Sequence, residues 1–163
     1  MGKSSKQAKK AKGRLQYAAL PFRLVEGGVE VLLITSRETR RWVVPKGWPM
    51  KNLSASAAAA REAFEEAGIE GSVAEHAIGA FTYRKRLRDG TSVDLLVDVF
   101  PLQVAIERAQ WPEQDQRERR WFRTDEAAEV VAEPELAGLI RGFGLAHASL
   151  QAPTQTSTER SSR

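Results

Sequence analysis

The sequence predicts a layered α/β domain, and the distribution of apolar and helix-forming runs is the basis for this prediction. Apolar, β-compatible runs occupy residues 15–24, 29–35 and 93–104, and an alanine-rich run with helical composition occupies residues 57–67. Short strands of mixed type around a few helices are typical of a sheet that is covered by helices. The chain has 163 residues, which suffices for one such domain with a sizeable core.

The first part of the chain predicts three strands. Residues 15–24 form the first, and Pro21 within it indicates an edge position or a strand end, because proline donates no ladder hydrogen bond. The Glu-Gly-Gly sequence at 26–28 predicts a hairpin turn. Residues 29–35 contain a continuous Val-Leu-Leu-Ile run and predict a strand buried on both faces. Residues 42–44 predict a short third strand.

Residues 57–67 predict a helix by their composition. All of its residues after the alanine run except Phe64 are good helix formers. Ser54 and Ser56 are both candidate N-caps. Gly68 follows as the expected left-handed stop.

One face of this helix is acidic. At about 100° per residue, Glu62, Glu65 and Glu66 share that face, and Arg61 is placed to pair with Glu65 four residues on. The predicted buried face consists of Ala60, Ala63, Phe64 and Ala67. Clustered carboxylates repel one another, and hard oxygen ligands of this kind suit Mg²⁺ where phosphates complete its coordination. A solvated acidic face is the plain alternative for such a pattern.

The second half predicts further strands and a polar connection. Residues 72–87 predict one long strand or a pair interrupted near Gly79, and Asp-Gly at 89–90 predicts a turn. Residues 93–104 are apolar and β-branched, which predicts another strand. Residues 107–118 are polar and indicate an irregular connection.

Two helices are predicted near the end of the domain. A short strand with aromatic residues occupies 119–123, and Thr124 is expected to cap a helix over 125–131. A second helix is expected over 134–143, with proline in its first turn and glycine near its end.

The ends of the chain differ from its centre in composition. Residues 1–13 contain five lysines without apolar periodicity and predict a disordered basic arm. Residues 147–163 are rich in Ser, Thr, Gln and Arg and predict a disordered tail. The net charge is +4. A solvated arm is the plain interpretation, and a nucleic-acid or acidic-surface contact through the arm is the alternative.

Composition also excludes several classes of protein. The chain has no cysteine, which excludes disulfides, zinc–thiolate sites and a cysteine nucleophile, and suits a reducing cytoplasm. A cytoplasmic location is therefore predicted. Apolar runs stay well short of the roughly 20 residues that a membrane span needs, so no membrane partner is expected.

Residues 47–69 resemble the Nudix box, G-x(5)-E-x(7)-R-E-U-x-E-E-x-G-U, in which U is aliphatic. One position departs, because Leu53 stands where the pattern has its first Glu. The flanking segments 42–50, 81–86 and 120–122 resemble those of Nudix hydrolases that act on diphosphoinositol polyphosphates or diadenosine polyphosphates. The residues in register are Gly47, Arg61, Glu62, Ala63, Glu65, Glu66, Gly68 and Ile69.

The resemblance implies a fold, a domain and a chemistry. The implied fold is an α/β/α sandwich with a mixed, partly curled β-sheet and the box as a loop-helix-loop, all within residues 14–146. The implied reaction is Mg²⁺-dependent hydrolysis of a diphosphate bond, with Mn²⁺ as a substitute cation. The implied metal ligands are Glu62, Glu65, Glu66 and the carbonyl of Gly47. Glu62 or Glu65 is implied as general base, and Arg61 is implied to orient the carboxylates.

Basic residues flank the box and the strand expected to face it. Their density favours a small-molecule substrate with many phosphates. Tyr83 and Trp48 are candidates for stacking on an adenine, with ordinary packing as the alternative. The predicted substrate-binding residues are Ser36, Arg37, Arg41, Lys46, Tyr83, Arg84, Lys85 and Arg86. Candidates for an extra carboxylate outside the box are Asp94, Asp98, Glu113 and Glu118.

Three functions remain open on the sequence. The first is hydrolysis of a diphosphoinositol polyphosphate or dinucleoside polyphosphate. The second is hydrolysis of a smaller nucleoside diphosphate derivative or an oxidised nucleoside triphosphate. The third is a non-catalytic module that binds a nucleotide or RNA, which Leu53 and the lysine arm favour and the retained glutamates disfavour. The oligomeric state stays open.

Overall fold

The computed structural model describes residues 14–151, the last three by their backbone alone. Within this range, eight strands form one mixed sheet. In chain order the strands are β1 (Leu15–Val25), β2 (Gly28–Thr35), β3 (Trp42–Val43), β4 (Lys46–Gly47), β5 (Ile69–Val73), β6 (Gly79–Arg86), β7 (Ser92–Glu107) and β8 (Arg119–Arg123).

The long strands β1 and β7 form the centre of the sheet and run parallel, with Leu15 opposite Leu96 and Phe22 opposite Gln103. All other strand pairs in the described range are antiparallel. The main path is β3-β2-β1-β7-β5, with β4 on β1, β6 on β7 and β8 on β2. The predicted mixed sheet is therefore confirmed.

Three helices lie in the described range, and they cover both faces of the sheet. They are α1 (Ala55–Ala67), α2 (Thr124–Val130) and α3 (Pro134–Gln151). On one face, α2 and α3 bury Ala127, Leu136 and Ile140 against the sheet. On the other face, α1 buries Ala59, Ala63 and Ala67. This arrangement confirms the α/β/α sandwich, with apolar burial on two sides of the sheet as its main source of stability. No helix in the described range is long and apolar enough to cross a membrane.

Pro21 lies in the middle of β1, not at an edge or a strand end as predicted. On one side β1 pairs continuously with β7. On its other side β1 pairs with β4 at Tyr17 and Ala18, and with β2 from Phe22 onward. Pro21 therefore occupies the point where β1 changes partners, and a residue without an N–H is tolerated there.

The sequence from 72 to 87 forms two strands, which is the second of the two predicted alternatives. β5 already begins at Ile69 and pairs with the far end of β7, while β6 pairs with its first half. The two-residue strand β4 was not predicted, and it follows Pro45 directly. The solid burial of β2 is confirmed.

The final helices differ from prediction at their ends. Thr124 is the first residue of α2, and the N–H of the preceding Arg123 donates to Glu126 Oε1 at 3.2 Å. Helix α3 continues to Gln151, beyond the predicted end at 143 and into the predicted tail. The first extra turn is tied to the sheet, because the rings of Phe143 and His147 lie 4.9 Å and 5.5 Å from the ring of Phe22 in β1. The arm at 1–13 and the remainder of the tail, 152–163, lie outside the described residues.

Candidate active site

Helix α1 begins and ends as its sequence predicts. The N–H of Ala57 donates to Ser54 Oγ at 3.2 Å, which identifies Ser54, not Ser56, as the N-cap. Gly68 adopts the left-handed conformation with φ of 69°, and its N–H donates to the Phe64 carbonyl at 2.9 Å. These two caps fix the residues at which the helix begins and ends.

The buried face of α1 is rotated toward its glutamates. Ala59 is fully buried together with Ala63 and Ala67, whereas Ala60 and Phe64 are only partly buried. Two of the four predicted buried positions, Ala63 and Ala67, are confirmed. The observed buried face is centred closer to Glu66 than the predicted face. A helix turned this way brings part of its acidic face into the protein.

The three glutamates of α1 are consequently not equivalent. Glu66 is 9% exposed, and Glu62 is partly buried. The Glu65 side chain is 41% exposed, and its contact with Arg61, itself 57% exposed, spans 3.9 Å. The predicted pairing of Arg61 with Glu65 is therefore present, but in the described structure Arg61 forms no ion pair with the other two glutamates.

Glu66 is held from three directions. Its Oε1 accepts the backbone N–H of Lys46 at 3.2 Å, and its Oε2 accepts Nη2 of Arg117 at 3.3 Å. Its backbone carbonyl accepts the indole N–H of Trp111 at 3.1 Å. A buried carboxylate is tolerated because both its oxygens have donors.

Glu62 lies directly against the backbone of Gly47. A Cβ built on Gly47 would overlap the Glu62 carboxylate. The residue at position 47 must therefore be glycine for Glu62 to approach the loop that carries β4. This contact brings the first glycine of the box next to its first retained glutamate.

Burial perturbs both inner carboxyl groups. Burial first, and then the neighbouring charges of Glu66 and Glu65, raise the pKa of Glu62 to about 7. Burial also raises the pKa of Glu66 to about 7, although Arg117 and Lys46 oppose the shift. Two carboxyl groups with pKa values near neutrality at one site are typical of a functional centre.

The inner glutamates line a cleft with a volume of about 860 Å³. Gly47, Glu62 and Glu66 lie on its wall, while Glu65 and Arg61 do not. All eight predicted substrate-binding residues line the same cleft, namely Ser36, Arg37, Arg41, Lys46, Tyr83, Arg84, Lys85 and Arg86. The structure thus brings an acidic wall and a basic wall together.

The two aromatic candidates in the cleft differ in availability. Tyr83 already has the Lys46 ammonium 4.3 Å from its ring centre. Trp48 is 43% exposed, and Lys85 Nζ lies 5.9 Å from its ring. Burial, only partly offset by Glu66 and Glu133, lowers the pKa of Lys46 to about 8.

Glu113 is the candidate for an extra carboxylate that the structure brings to the cleft. Asp94 pairs instead with Arg84 at 3.1 Å on the exposed surface, and neither Asp98 nor Glu118 lines the cleft. Glu113 accepts Nε of Arg117 at 2.8 Å. Sequence spacing did not distinguish it from the other three.

Sequence reasoning missed Arg117 and Gln16, which also line the cleft. Arg117 lies in the segment predicted only as a polar connection, and its partners are distant in sequence, so no local pattern marks it. Gln16 lies on β1 among apolar residues and is 4% exposed. In the described part of the chain its Oε1 is buried without a hydrogen-bond partner, which is a rare state for a polar atom.

The donor set of the acidic wall suits a hard divalent cation that arrives with phosphate. Within residues 14–151, no group of three or more acidic or histidine side chains forms a ready cage for a metal ion. Glu62 and Glu66 nevertheless offer hard carboxylate oxygens on the wall of the cleft, where Glu62 lies against the Gly47 backbone. Mg²⁺ is typically bound through one or two carboxylates, with substrate phosphates and waters completing its shell.

Comparison with known proteins places this architecture in a family. Residues 14–143 match the NUDIX domain, which is four fifths of the chain. The chain therefore belongs to the Nudix hydrolase family.

Curated relatives and solved structures support this assignment. Nudix hydrolase 13, mitochondrial, of Arabidopsis thaliana is 35% identical over 135 residues, covering 72% of this chain and 66% of that protein. Diphosphoinositol polyphosphate phosphohydrolase 3-alpha of Mus musculus is 30% identical over 116 residues, covering 70% and 66%. The chain thus spans slightly less than two thirds of the length of these two relatives. The C. elegans Ap4A hydrolase binary complex has a TM-score of 0.60 at 22% identity, covering 81% of this chain and 96% of that one, which shows a shared fold.

Proposed function

We propose that this protein hydrolyses a diphosphate bond in a highly phosphorylated small molecule and depends on Mg²⁺ for doing so. The observation that carries the proposal is that one cleft is lined both by Glu62 and Glu66 of α1 and by a set of basic side chains. Acidic oxygens suit a cation, and the basic wall suits the phosphates that such a cation accompanies. A cleft built for a neutral or cationic ligand would have no use for both.

Glu62 is proposed as the general base. It lines the cleft, and its carboxylate lies against the backbone of the loop that carries β4, at the wall where the substrate and its water would bind. Glu65, the other candidate, lies outside the cleft. Glu65 was also predicted as a metal ligand. Unlike Glu62, Glu66 and Gly47, it does not line the cleft, so we propose those three residues as the cation site.

The proposed reaction is a displacement at phosphorus. The oxygen of a water molecule forms a new bond to one phosphorus while its proton passes to the Glu62 carboxylate. The bond between that phosphorus and the bridging oxygen breaks, and the bridging oxygen leaves with the other phosphate. Mg²⁺, when bound, supplies neutralisation of phosphate charge and lowers the pKa of a coordinated water.

The number of basic side chains favours a substrate with many phosphates. Six of the predicted residues in the cleft are basic, namely Arg37, Arg41, Lys46, Arg84, Lys85 and Arg86. A small nucleotide with two or three phosphates has fewer anionic oxygens to occupy them. The names of two relatives, a diphosphoinositol polyphosphate phosphohydrolase and an Ap4A hydrolase, agree with this substrate class.

A phosphate-release screen tests the substrate class. Diphosphoinositol polyphosphates, dinucleoside polyphosphates, nucleotide sugars and oxidised nucleoside triphosphates are each incubated with the protein, with Mg²⁺, with Mn²⁺ or with a chelator. We expect cation-dependent release from one or both of the first two groups, with Mn²⁺ replacing Mg²⁺. Release from small nucleotides alone would exclude the polyphosphate substrate, and no release from any compound would favour a nucleotide- or RNA-binding module.

A pair of arginine variants tests the basic wall. Arg86 lines the cleft, while Arg88, two residues on, does not. Arg86→Ala is expected to raise KM about tenfold, since a hydrogen bond to a charged group contributes about 1.5 kcal/mol. Arg88→Ala is the matched control and is expected to leave KM within about twofold, which is the scale of an exposed charge.

The predicted location in the cytoplasm stays a prediction. The Arabidopsis relative named above carries a mitochondrial designation in its own name. The role of the basic arm at residues 1–13, and with it any nucleic-acid contact, lies outside the described residues.

A further inference from the structure

Arg117 is the most extensively bonded side chain at the acidic wall. Its side chain is 9% exposed. Nε donates to Glu113 Oε1 at 2.8 Å, Nη1 donates to the Thr35 carbonyl at 3.1 Å, and Nη2 donates to Glu66 Oε2 at 3.3 Å. The guanidinium thus joins three elements that are far apart in the chain: the end of β2, helix α1 and the connection between β7 and β8.

The connection that carries Arg117 is docked onto the end of α1 by other contacts as well. The indole N–H of Trp111 donates to the Glu66 carbonyl at 3.1 Å, and the N–H of Glu113 donates to the Glu65 carbonyl at 3.1 Å. Arg119, the first residue of β8 directly after this connection, donates from Nη1 to the Ala67 carbonyl at 2.8 Å. Residues 108–118 therefore form, with the last turn of α1, one hydrogen-bonded unit.

Arg61 does not make comparable contacts. It is exposed, and its nearest carboxylate, that of Glu65, is 3.9 Å away. An exposed pair at that distance fixes neither side chain strongly. By contrast, a planar guanidinium with three partners and little exposure holds each partner in one orientation.

We propose that Arg117 is the positioning residue of this site, which holds the carboxylates of Glu66 and Glu113 toward the cleft and makes Glu113 part of the acidic wall. Arg117 acts through these two glutamates and needs no contact with the reacting atoms. The inference rests on the proposed function, because it assigns the two carboxylates to the binding of a cation. It also assigns to Arg117 the orienting role that the box pattern implied for Arg61.

Mn²⁺ binding to the full-length protein, measured by electron paramagnetic resonance of the free ion, tests the inference without turnover. Arg117→Met is expected to weaken Mn²⁺ binding about tenfold, which is the usual scale for loss of a group that orients metal ligands. Arg117→Lys retains the positive charge but not the planar guanidinium with its several N–H donors. Its Mn²⁺ binding is expected to lie between that of Arg117→Met and that of the wild type. Arg108→Met removes a paired arginine of the same connection whose side chain lies outside the cleft, and it is expected to bind Mn²⁺ as the wild type does.

A double-mutant cycle distinguishes positioning from general damage. Glu113→Gln alone is also expected to weaken Mn²⁺ binding. If Arg117 acts by holding Glu113, the Mn²⁺ affinity of the double variant Arg117→Met with Glu113→Gln is expected to lie within about twofold of that of Arg117→Met alone. The reason is that the effects of two substitutions within one hydrogen-bonded network are not additive. Independent losses that multiply in the double variant would overturn the inference. Circular dichroism and the unfolding midpoint establish that each variant is folded.

The outcomes separate this inference from the function on which it rests. Tighter Mn²⁺ binding by Arg117→Met would show that the guanidinium merely competes with the cation and would overturn the positioning role. Unchanged binding would overturn it as well, while leaving the proposed hydrolysis standing. Failure of the wild-type protein to bind Mn²⁺, with or without a diphosphate compound, would overturn the proposed function and the inference together.

Discussion

Helix α1 and the connection at residues 108–118 contribute to the same acidic wall in different ways. The helix presents Glu62 and Glu66 by regular repetition along a capped, alanine-rich segment. The connection has no repeating pattern and presents Glu113 and Arg117 only because it is bonded to the end of that helix. One region is therefore specified locally, and the other is specified by what it contacts.

The two regions of this site are therefore ordered by different causes, one local and one tertiary. A capped, alanine-rich helix has its ends and its side-chain periodicity specified by its own residues. A polar segment without secondary structure is ordered only when tertiary contacts compensate the entropy lost on ordering it. The connection should therefore be the more sensitive of the two regions to a distant change, and the helix the more sensitive to loss of its own charged groups.

The largest expected effect on activity is on the helix. Glu66→Gln is expected to lower Mg²⁺-dependent turnover by at least a hundredfold, equivalent to about 2.7 kcal/mol of transition-state stabilisation. The reason is loss of a carboxylate that lines the cleft and is held there by hydrogen bonds to both of its oxygens. Steady-state phosphate release measures the effect. Glu75→Gln, at a position 88% exposed, is the control and should retain full activity. Residual activity above a tenth of wild type would remove Glu66 from the essential set.

A substitution at the junction tests whether the connection depends on the helix. Gly68 has φ of +69°, and a Cβ there would lie 2.7 Å from the Trp111 ring. Gly68→Ala is expected to lower the free energy of unfolding by about 3 kcal/mol, combining backbone strain with displacement of the ring. Gly90→Ala shares the strained backbone, with φ of +89°, but meets nothing within 4 Å. It should lose only about 1 kcal/mol. Urea unfolding measures the free energy of unfolding of both variants. Equal losses would show that displacement of the Trp111 ring adds nothing to the cost of backbone strain.

The buried glutamates are expected to make stability depend on pH. The pKa of Glu66 is about 7 in the folded protein, above its ordinary value of 4.5, so the folded state binds more protons between these two values. Its contribution to stability is therefore present below about pH 4.5 and is lost as pH rises through 7. Without added cation, wild type should lose on the order of 2 kcal/mol relative to Glu66→Gln across this window.

Thermal melts of the two proteins at pH 5 and pH 8, with and without Mg²⁺, measure this effect. Added Mg²⁺ is expected to restore the wild type at pH 8 and to have little effect on Glu66→Gln. A wild type that gains stability relative to the variant as pH rises would show that Arg117 and Lys46 compensate the buried charge fully.

The smallest expected effect concerns Gln16, a cleft residue in neither region. Its buried Oε1 has no partner within the described structure, and an unsatisfied buried acceptor is destabilising by about 1–3 kcal/mol before relaxation. Gln16→Leu is therefore expected to raise the free energy of unfolding by up to about 1 kcal/mol. Chemical unfolding detects this gain, and a loss of similar size would mean that the amide is satisfied by water.

Prediction from the sequence succeeded where the signal was local. The caps of α1, the burial of β2 and the hairpin between β1 and β2 each follow from a few adjacent residues. Prediction failed where the conformation of a residue depends on contacts with residues distant in the sequence. Pro21 was placed at an edge, although the partner change along β1 accommodates it inside the sheet. Helix α3 was ended too early because the turn that carries His147 packs on Phe22 of β1, a contact that local propensity does not register.

The site shows the same division. The sequence by itself determined the acidic face of α1 and the basic residues around it, because both follow from helical periodicity and from charge that is visible in composition. Only the tertiary structure decided which glutamates enter the cleft, because the rotation of α1 depends on how its alanines pack against the sheet. Only the tertiary structure brought Arg117 to Glu66, across 51 positions of sequence. A contact between residues so far apart leaves no periodic trace in the chain, since it exists only after the sheet and its helices have assembled.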